Sequence, residues 1–174
     1  TFTALTAIAA AVILVHSLTD SPAAWWGLRS VTGFCFAGLF LVIESWLNER
    51  AANEQRGLVM GIYTMIVLSV TGVGQMMLTL GDPAQFPLFA LTSILISLAA
   101  VPIALTAARP PARLMESRLR PTKLYSGSPV GVVGVFLAGL ATGAFWSFGP
   151  AYALSMRSDT SEVAIFMSIA VLGG

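Results

Sequence analysis

The chain has 174 residues, of which 56% are hydrophobic and only 10% are charged, and its formal net charge is +1. A soluble domain carries about 25% charged residues, so this composition argues against a water-soluble domain and indicates a membrane protein. The small net charge gives no electrostatic basis for binding nucleic acid, and the single cysteine, Cys35, excludes an internal disulfide and a cysteine-based metal site.

Hydrophobic stretches divide the chain into helices, since a membrane-spanning helix needs roughly 20 mostly apolar residues. Signals for helix N-termini lie in the gaps: a hydroxyl or carboxylate residue before a proline, and one capping-box spacing. These signals are Ser21-Pro22, Asp82-Pro83, Ser128-Pro129 and Asp159 with Glu162. The sequence predicts an all-α, polytopic helical bundle with spans near 1–18, 22–48, 57–80, 84–107, 129–155 and 161–174.

Basic residues are sorted onto alternate gaps between these spans. Two arginines lie in 49–56 and five basic residues lie in 108–128, whereas the gaps of opposite parity hold a single one, Arg157. Cytoplasmic loops collect Lys and Arg, so we expect 49–56 and 108–128 to be cytoplasmic. The gaps at 19–23, 81–85 and 156–160 should then face outward.

The basic segment 108–128 is the only polar stretch long enough to separate two domains. We therefore expect it to be a cytoplasmic linker between one group of helices in 1–107 and a second group in 129–174. Its basic and apolar residues allow two structures: a short helix lying on anionic lipid headgroups, or a solvated loop.

Arg29 is the only basic residue within a predicted span, and it lies seven residues after Pro22. A charge at this depth is costly unless it faces protein or a water-filled cavity. Two interpretations stay open. Arg29 either faces such a cavity, or its side chain reaches toward the surface past Trp25 and Trp26, which have the position of an interfacial aromatic belt.

Further residues follow Arg29 on a broad face of the same helix, at spacings near four: Gly33, Ala37, Phe40 and Glu44. Glu44 lies near the inner surface, where arginines at the cytoplasmic end are its simplest partners. In the third span, polar side chains share one face and either bond across helices or line an aqueous path. They are Thr64, Thr71, Gln75 and Thr79.

The fifth span carries an aromatic face formed by Phe145, Phe148 and Tyr152, next to a Gly149-Pro150 pair. Gly-Pro frees a backbone carbonyl and permits a bend, and broken helices of this kind often lie beside transport sites. An ordinary aromatic packing stripe with a kink is an equally good interpretation.

Two further features have plain structural interpretations. Gly139 and Gly143 form a GxxxG surface that favours close helix packing. His16 lies near the outer end of its span, where a structural or interfacial role is favoured over a proton relay. No Ser/His/Asp set, paired intramembrane carboxylates, metal motif or nucleotide fingerprint occurs in the sequence, so we expect no enzyme, cofactor or metal.

The second span and the loop after it resemble the major facilitator superfamily, in its YcaD-type permease branch. The residues that carry this resemblance are Arg29-x3-Gly33-x3-Ala37, Glu49-x6-Arg56-Gly57 with Gly61, and the stretch GFCFAGLFLVIESWLNERAANEQRG. The order of the spans matches helices three to eight of twelve. Because hydrophobic segments reach both ends of the chain, we expect it to be the middle of a longer protein.

This resemblance implies a secondary active transporter of a small solute in the bacterial inner membrane, functional as a monomer and possessing two six-helix halves that rock around a central site. Arg29 would hold an anionic substrate group or couple to a proton. The implied substrate and coupling residues are Arg29, Gly33, Phe40, Gln75, Phe145, Phe148 and Tyr152, and the implied cytoplasmic charge network is Glu44, Glu49 and Arg56.

One motif departs from the family pattern. The fifth helix of antiporters in this superfamily ends in Gly-Pro within a glycine cluster, whereas Gly72-Val73-Gly74-Gln75 has no proline, so antiport is not supported. A membrane receptor or scaffold that keeps the fold and transports nothing is the alternative from another class. An intramembrane enzyme would need paired catalytic groups that this sequence lacks.

Overall fold

The computed structural model of the chain describes residues 2–105, 125–156 and 159–173. Every regular element in these ranges is helical. The elements are α1 (Phe2–His16), α2 (Pro22–Arg50), α3 (Arg56–Met76), a 3-10 helix (Met77–Leu80), α4 (Phe86–Leu105), α5 (Pro129–Ser155) and α6 (Thr160–Leu172). The prediction of an all-α chain is confirmed, and most of the basic linker lies outside the described residues.

Two of the predicted helix starts are capped by the side chains that the sequence indicated. Ser128 accepts a hydrogen bond from the backbone N–H of Gly131 at 3.3 Å, directly before α5. Asp159 and Glu162 form a complete capping box at the start of α6. Ser21 occupies the N-cap position of α2 with proline after it, but its side chain makes no capping hydrogen bond.

The predicted start of α4 at Asp82-Pro83 is wrong. Asp82 instead accepts a hydrogen bond from the backbone N–H of Ala84 at 2.9 Å, which closes a turn, and α4 begins only at Phe86. An aspartate side chain can satisfy a turn as well as a helix end, and this segment uses the turn. The last residues of the third span also tighten into the 3-10 helix, which the sequence did not predict.

The Gly149-Pro150 pair does not break its helix, which agrees with the simpler of the two interpretations. Helix α5 continues through Pro150 to Ser155 as one element. The predicted packing at the GxxxG surface is not seen among the described residues: a side chain added at Gly139 or Gly143 would meet nothing within 4 Å.

Helix α1 packs against both α2 and α4, and these three helices form one cluster around α1. Gly38 of α2 lies so close to α1 that an added methyl group would approach Leu5 to 2.9 Å. Ser93 of α4 donates a buried hydrogen bond to the carbonyl oxygen of Ala10, at 3.0 Å. Small residues and one interhelical hydrogen bond therefore bring these backbones together, as is usual between membrane helices.

Helix α6 packs mainly against α3, which joins the segments on the two sides of the linker. Ser168 of α6 donates a buried hydrogen bond to the carbonyl oxygen of Gly72, at 2.9 Å. Gly72 is itself buried, and a methyl group added there would lie 3.5 Å from the side chain of Leu172. Among the described elements, α5 contacts only α6.

The distribution of side chains is that of a membrane protein. The buried residues include Thr6, Thr32, Ser93 and Ser168, whereas large apolar side chains on every long helix are exposed. Within the described residues, four helices are long and apolar enough to cross a membrane, namely α2, α3 with its 3-10 extension, α4 and α5. Apolar surface of this extent requires a covering of lipid or further protein. Helices α1 and α6 are shorter, with 15 and 13 residues.

The predicted orientation of these helices in the membrane can be tested by thiol labelling. In a variant whose Cys35 is replaced by alanine, a cysteine at Ser21 should react with a membrane-impermeant thiol reagent in intact cells, because 19–23 is expected to face outward. A cysteine at Ser126 should react only after the cells are opened. Reaction at Ser126 in intact cells would show that the orientation is inverted.

Candidate functional site

A cleft of about 360 Å³ lies between α1, α2 and α4 at their predicted outer end. Its volume falls within the range of roughly 300–1,000 Å³ that is typical of ligand pockets. Residues of the α3–α4 connection, Leu78 and Pro83, close one side. The remaining lining residues are Ile13, His16, Trp25, Arg29, Thr32, Phe36, Leu88, Phe89 and Thr92.

The second helix supplies one wall of this cleft. Trp25, Arg29, Thr32 and Phe36 line it, and their spacings of four, three and four residues place them on one helical face. The wall therefore presents one cation, one hydroxyl group and two aromatic rings side by side.

His16 closes the cleft from α1, and its hydrogen bonding fixes which ring nitrogen carries the proton. The side chain is only 5% exposed, and its Nδ1 lies 2.8 Å from the carbonyl oxygen of Val12. Because a carbonyl can only accept, Nδ1 must be the protonated nitrogen. Nε2 of the neutral ring is then an acceptor, and it is buried without a hydrogen-bond partner in the described part of the chain.

Aromatic contacts hold this end of the bundle together. The ring of His16 meets that of Trp25 edge to face with centroids 4.9 Å apart, and Trp25 meets Phe89 of α4 at 6.4 Å. The indole N–H of Trp25 donates to the carbonyl oxygen of Thr19 at 2.8 Å. Trp25 thus links α1, α2 and α4.

The two threonine hydroxyl groups in the cleft already use their protons. Thr32 donates to the carbonyl oxygen of Leu28 at 2.9 Å, and Thr92 donates to that of Leu88 at 2.8 Å. A hydroxyl oxygen that donates in this way still has lone pairs with which to accept. Both groups therefore remain available only as acceptors.

Arg29 is the one strong donor in the lining of the cleft. Its side chain is exposed, and no residue in the described ranges forms a hydrogen bond or an ion pair with it. Seven residues after Pro22, it lies about 10 Å along the helix axis from the start of α2. An unpaired guanidinium at this depth needs water, lipid headgroups or a bound anion.

The other predicted substrate residues are not gathered at this cleft. Gly33 and Phe40 lie on α2 but outside it, and Gln75 is half-buried near the end of α3. On α5, Phe145, Phe148 and Tyr152 are exposed, and α5 makes no contact with α2 within the described residues. One shared site for all the predicted residues is therefore not formed by direct contact in this chain.

At the opposite end of the bundle, Glu44 is half-buried, while Glu49 and Arg56 are exposed on either side of the α2–α3 corner. The carboxylate of Glu44 is close enough to interact electrostatically with the hydroxyl group of Tyr63, which is buried without a hydrogen-bond partner in the described ranges. The charge network at this corner stays a prediction.

Arg29 is the only lining residue of the cleft that belonged to the predicted site, and the polar residues His16, Thr32 and Thr92 were absent from it. A comparison of depths identifies Thr92: it lies six residues after Phe86, about 9 Å along α4, and so nearly level with Arg29 on the parallel helix α2. His16 ends α1 at the same side of the bundle. From its residue type alone, His16 was expected to have a structural role. Its depth at the end of α1 would have placed it near Arg29, and both residues line the cleft.

Comparisons of the chain with protein-family models, with curated proteins and with solved structures find no match. Interpretation of the cleft therefore depends on its own geometry and chemistry.

Proposed function

We propose that this chain is part of a secondary active transporter of a small solute, with the architecture of the major facilitator superfamily. One observation carries the proposal: Arg29 has no partner among the described residues, in an apolar helix, and lines a ligand-sized cleft. A membrane protein retains such a costly charge when it faces a substrate or ion pathway.

Two other features support transport by alternating access. The sequence motifs around Arg29 and the Glu49–Arg56 corner resemble those of the superfamily, in the expected order. In the described residues, α6 makes all the contacts between the segments on the two sides of the linker, with α3 and its 3-10 extension. A rocking motion of two halves would act on this contact. The same proposal places the protein in a bacterial inner membrane and takes the monomer as the functional unit.

The test is a flux measurement that does not require the substrate to be known. The full-length protein is reconstituted into liposomes loaded with a mixture of amino acids, organic acids, sugars and nucleosides, and the retained solutes are measured by mass spectrometry. We expect selective loss of one chemical class from proteoliposomes and not from empty liposomes, with a rate that changes under a pH gradient if transport is proton-coupled. Retention of every solute under both conditions would favour the receptor or scaffold alternative.

A further inference from the structure

We infer that the cleft between α1, α2 and α4 binds an apolar α-amino or α-hydroxy acid: a carboxylate with an adjacent N–H or O–H donor and a hydrocarbon or aromatic side group. The inference rests on the proposed function in taking this ligand as the transported solute. Its chemical argument rests on the cleft alone.

The need for an anionic group follows from Arg29. It is the only cation in the cleft lining, and no described residue neutralises it. A guanidinium presents a planar fork of donors that matches the two oxygens of a carboxylate. Hydrogen bonds between a guanidinium and a carboxylate are charge-assisted and stronger than those between neutral groups.

The need for a donor on the ligand follows from His16. Its Nδ1 proton is committed to Val12, so in the neutral ring Nε2 keeps a lone pair that no described residue uses. This atom is buried, and a donor on the ligand would reach it after a small shift of the ring. The hydroxyl oxygens of Thr32 and Thr92 have donated their protons to their own helices and add two more acceptors. Apart from Arg29, the polar atoms of these side chains can thus only accept hydrogen bonds. A simple carboxylate supplies none, whereas an ammonium or hydroxyl group beside the carboxylate does.

The need for an apolar side group follows from the remaining walls. The rings of Trp25, Phe36 and Phe89 and the side chains of Ile13 and Leu88 surround the polar groups. Such walls favour a hydrocarbon or aromatic group and disfavour a sugar or a second charge. The combination selects leucine-like and phenylalanine-like acids over dicarboxylates and simple fatty acids.

A phospholipid with an ethanolamine headgroup carries a similar pair of charges and would reach the cleft from the bilayer. We favour the free acid, because the donor on the ligand has to reach the Nε2 of His16, which is buried between helices. A lipid headgroup stays at the membrane surface, where it contacts exposed groups.

The experiment measures equilibrium binding of radiolabelled leucine and phenylalanine to the full-length protein in detergent. Competitors that differ by one group are then added: 2-hydroxy-4-methylpentanoate, 4-methylpentanoate and 3-methylbutylamine. We expect the hydroxy acid to compete like leucine. The acid without a donor and the amine without a carboxylate should each bind at least about tenfold more weakly, since the first leaves the buried Nε2 of His16 unpaired and the second leaves Arg29 without an anion. The variant His16→Phe keeps a ring against Trp25, and we expect it to lose the preference for leucine over 4-methylpentanoate.

Three results would overturn the inference. The first is no binding of either amino acid, and the second is equal binding of leucine and 4-methylpentanoate. The third is that no amino acid binds while an ethanolamine lipid co-purifies with the unaltered protein and is lost from the Arg29→Ala variant. The analogue series on the unaltered protein decides the matter even if His16→Phe does not fold. Binding of leucine or phenylalanine without flux would remove the transport proposal and leave this inference standing. Flux of another solute without binding of these acids would remove this inference and leave the transport proposal standing.

Discussion

Replacing Arg29 with alanine is expected to abolish transport while the protein still inserts into the membrane. Helix α2 keeps its apolar length without the charge, and Arg29 forms no hydrogen bond or ion pair with the described residues that insertion or folding would lose. Removing a charge from an apolar helix should even favour insertion. The measurement is solute flux in proteoliposomes, normalised to the amount of inserted protein, for the solute class that the unaltered protein releases.

The conservative variant Arg29→Lys separates the two interpretations of this residue. Lysine keeps the charge but lacks the planar fork of donors, so we expect an inserted, folded protein with strongly impaired flux. If the side chain merely reaches toward lipid headgroups past Trp25, lysine should substitute freely and alanine should cost only some stability. Full flux in Arg29→Ala would leave that structural interpretation standing and remove the functional one.

The helices could be predicted because bilayer thickness and backbone hydrogen bonding dictate them directly. Every span found by its apolar length is a helix, and the predicted end of the second span near 48 lies two residues from the observed end at Arg50. One failure lies where two local structures compete for one side chain. Asp82 closes a turn instead of capping α4.

The site could be predicted only in part, because its members come from different helices. The cost of a charge in hydrocarbon identified Arg29 without any structure. The partners of Arg29 in the cleft depend on which helices pack together, and periodicity along one helix contains no such information. The face of α5 illustrates the limit: Phe145, Phe148 and Tyr152 align as predicted, but that alignment did not reveal that α5 would contact α6 alone among the described elements.

Replacing Gly72 with leucine is expected to separate α3 from α6. A methyl group at this position would already lie in ordinary contact with Leu172, at 3.5 Å, so alanine should be tolerated. A leucine side chain has no space there and must displace Leu172 or the helix. Displacement would also lengthen the 2.9 Å hydrogen bond from Ser168 to the carbonyl oxygen of Gly72. Overpacking of this kind costs about 1–3 kcal/mol, and we expect a lower thermal unfolding midpoint in detergent together with altered flux.

Gly74 provides the matched control on the same helix. A side chain added there meets nothing within 4 Å, and Gly74→Leu makes the same gain in helix propensity as Gly72→Leu. The difference between the two unfolding midpoints therefore isolates the contact of α3 with α6 from the effect of leucine itself. If Gly72→Leu unfolds at the same temperature as Gly74→Leu and retains full flux, this contact does not hold the two segments together. The rocking of two halves across it would then lose its structural basis.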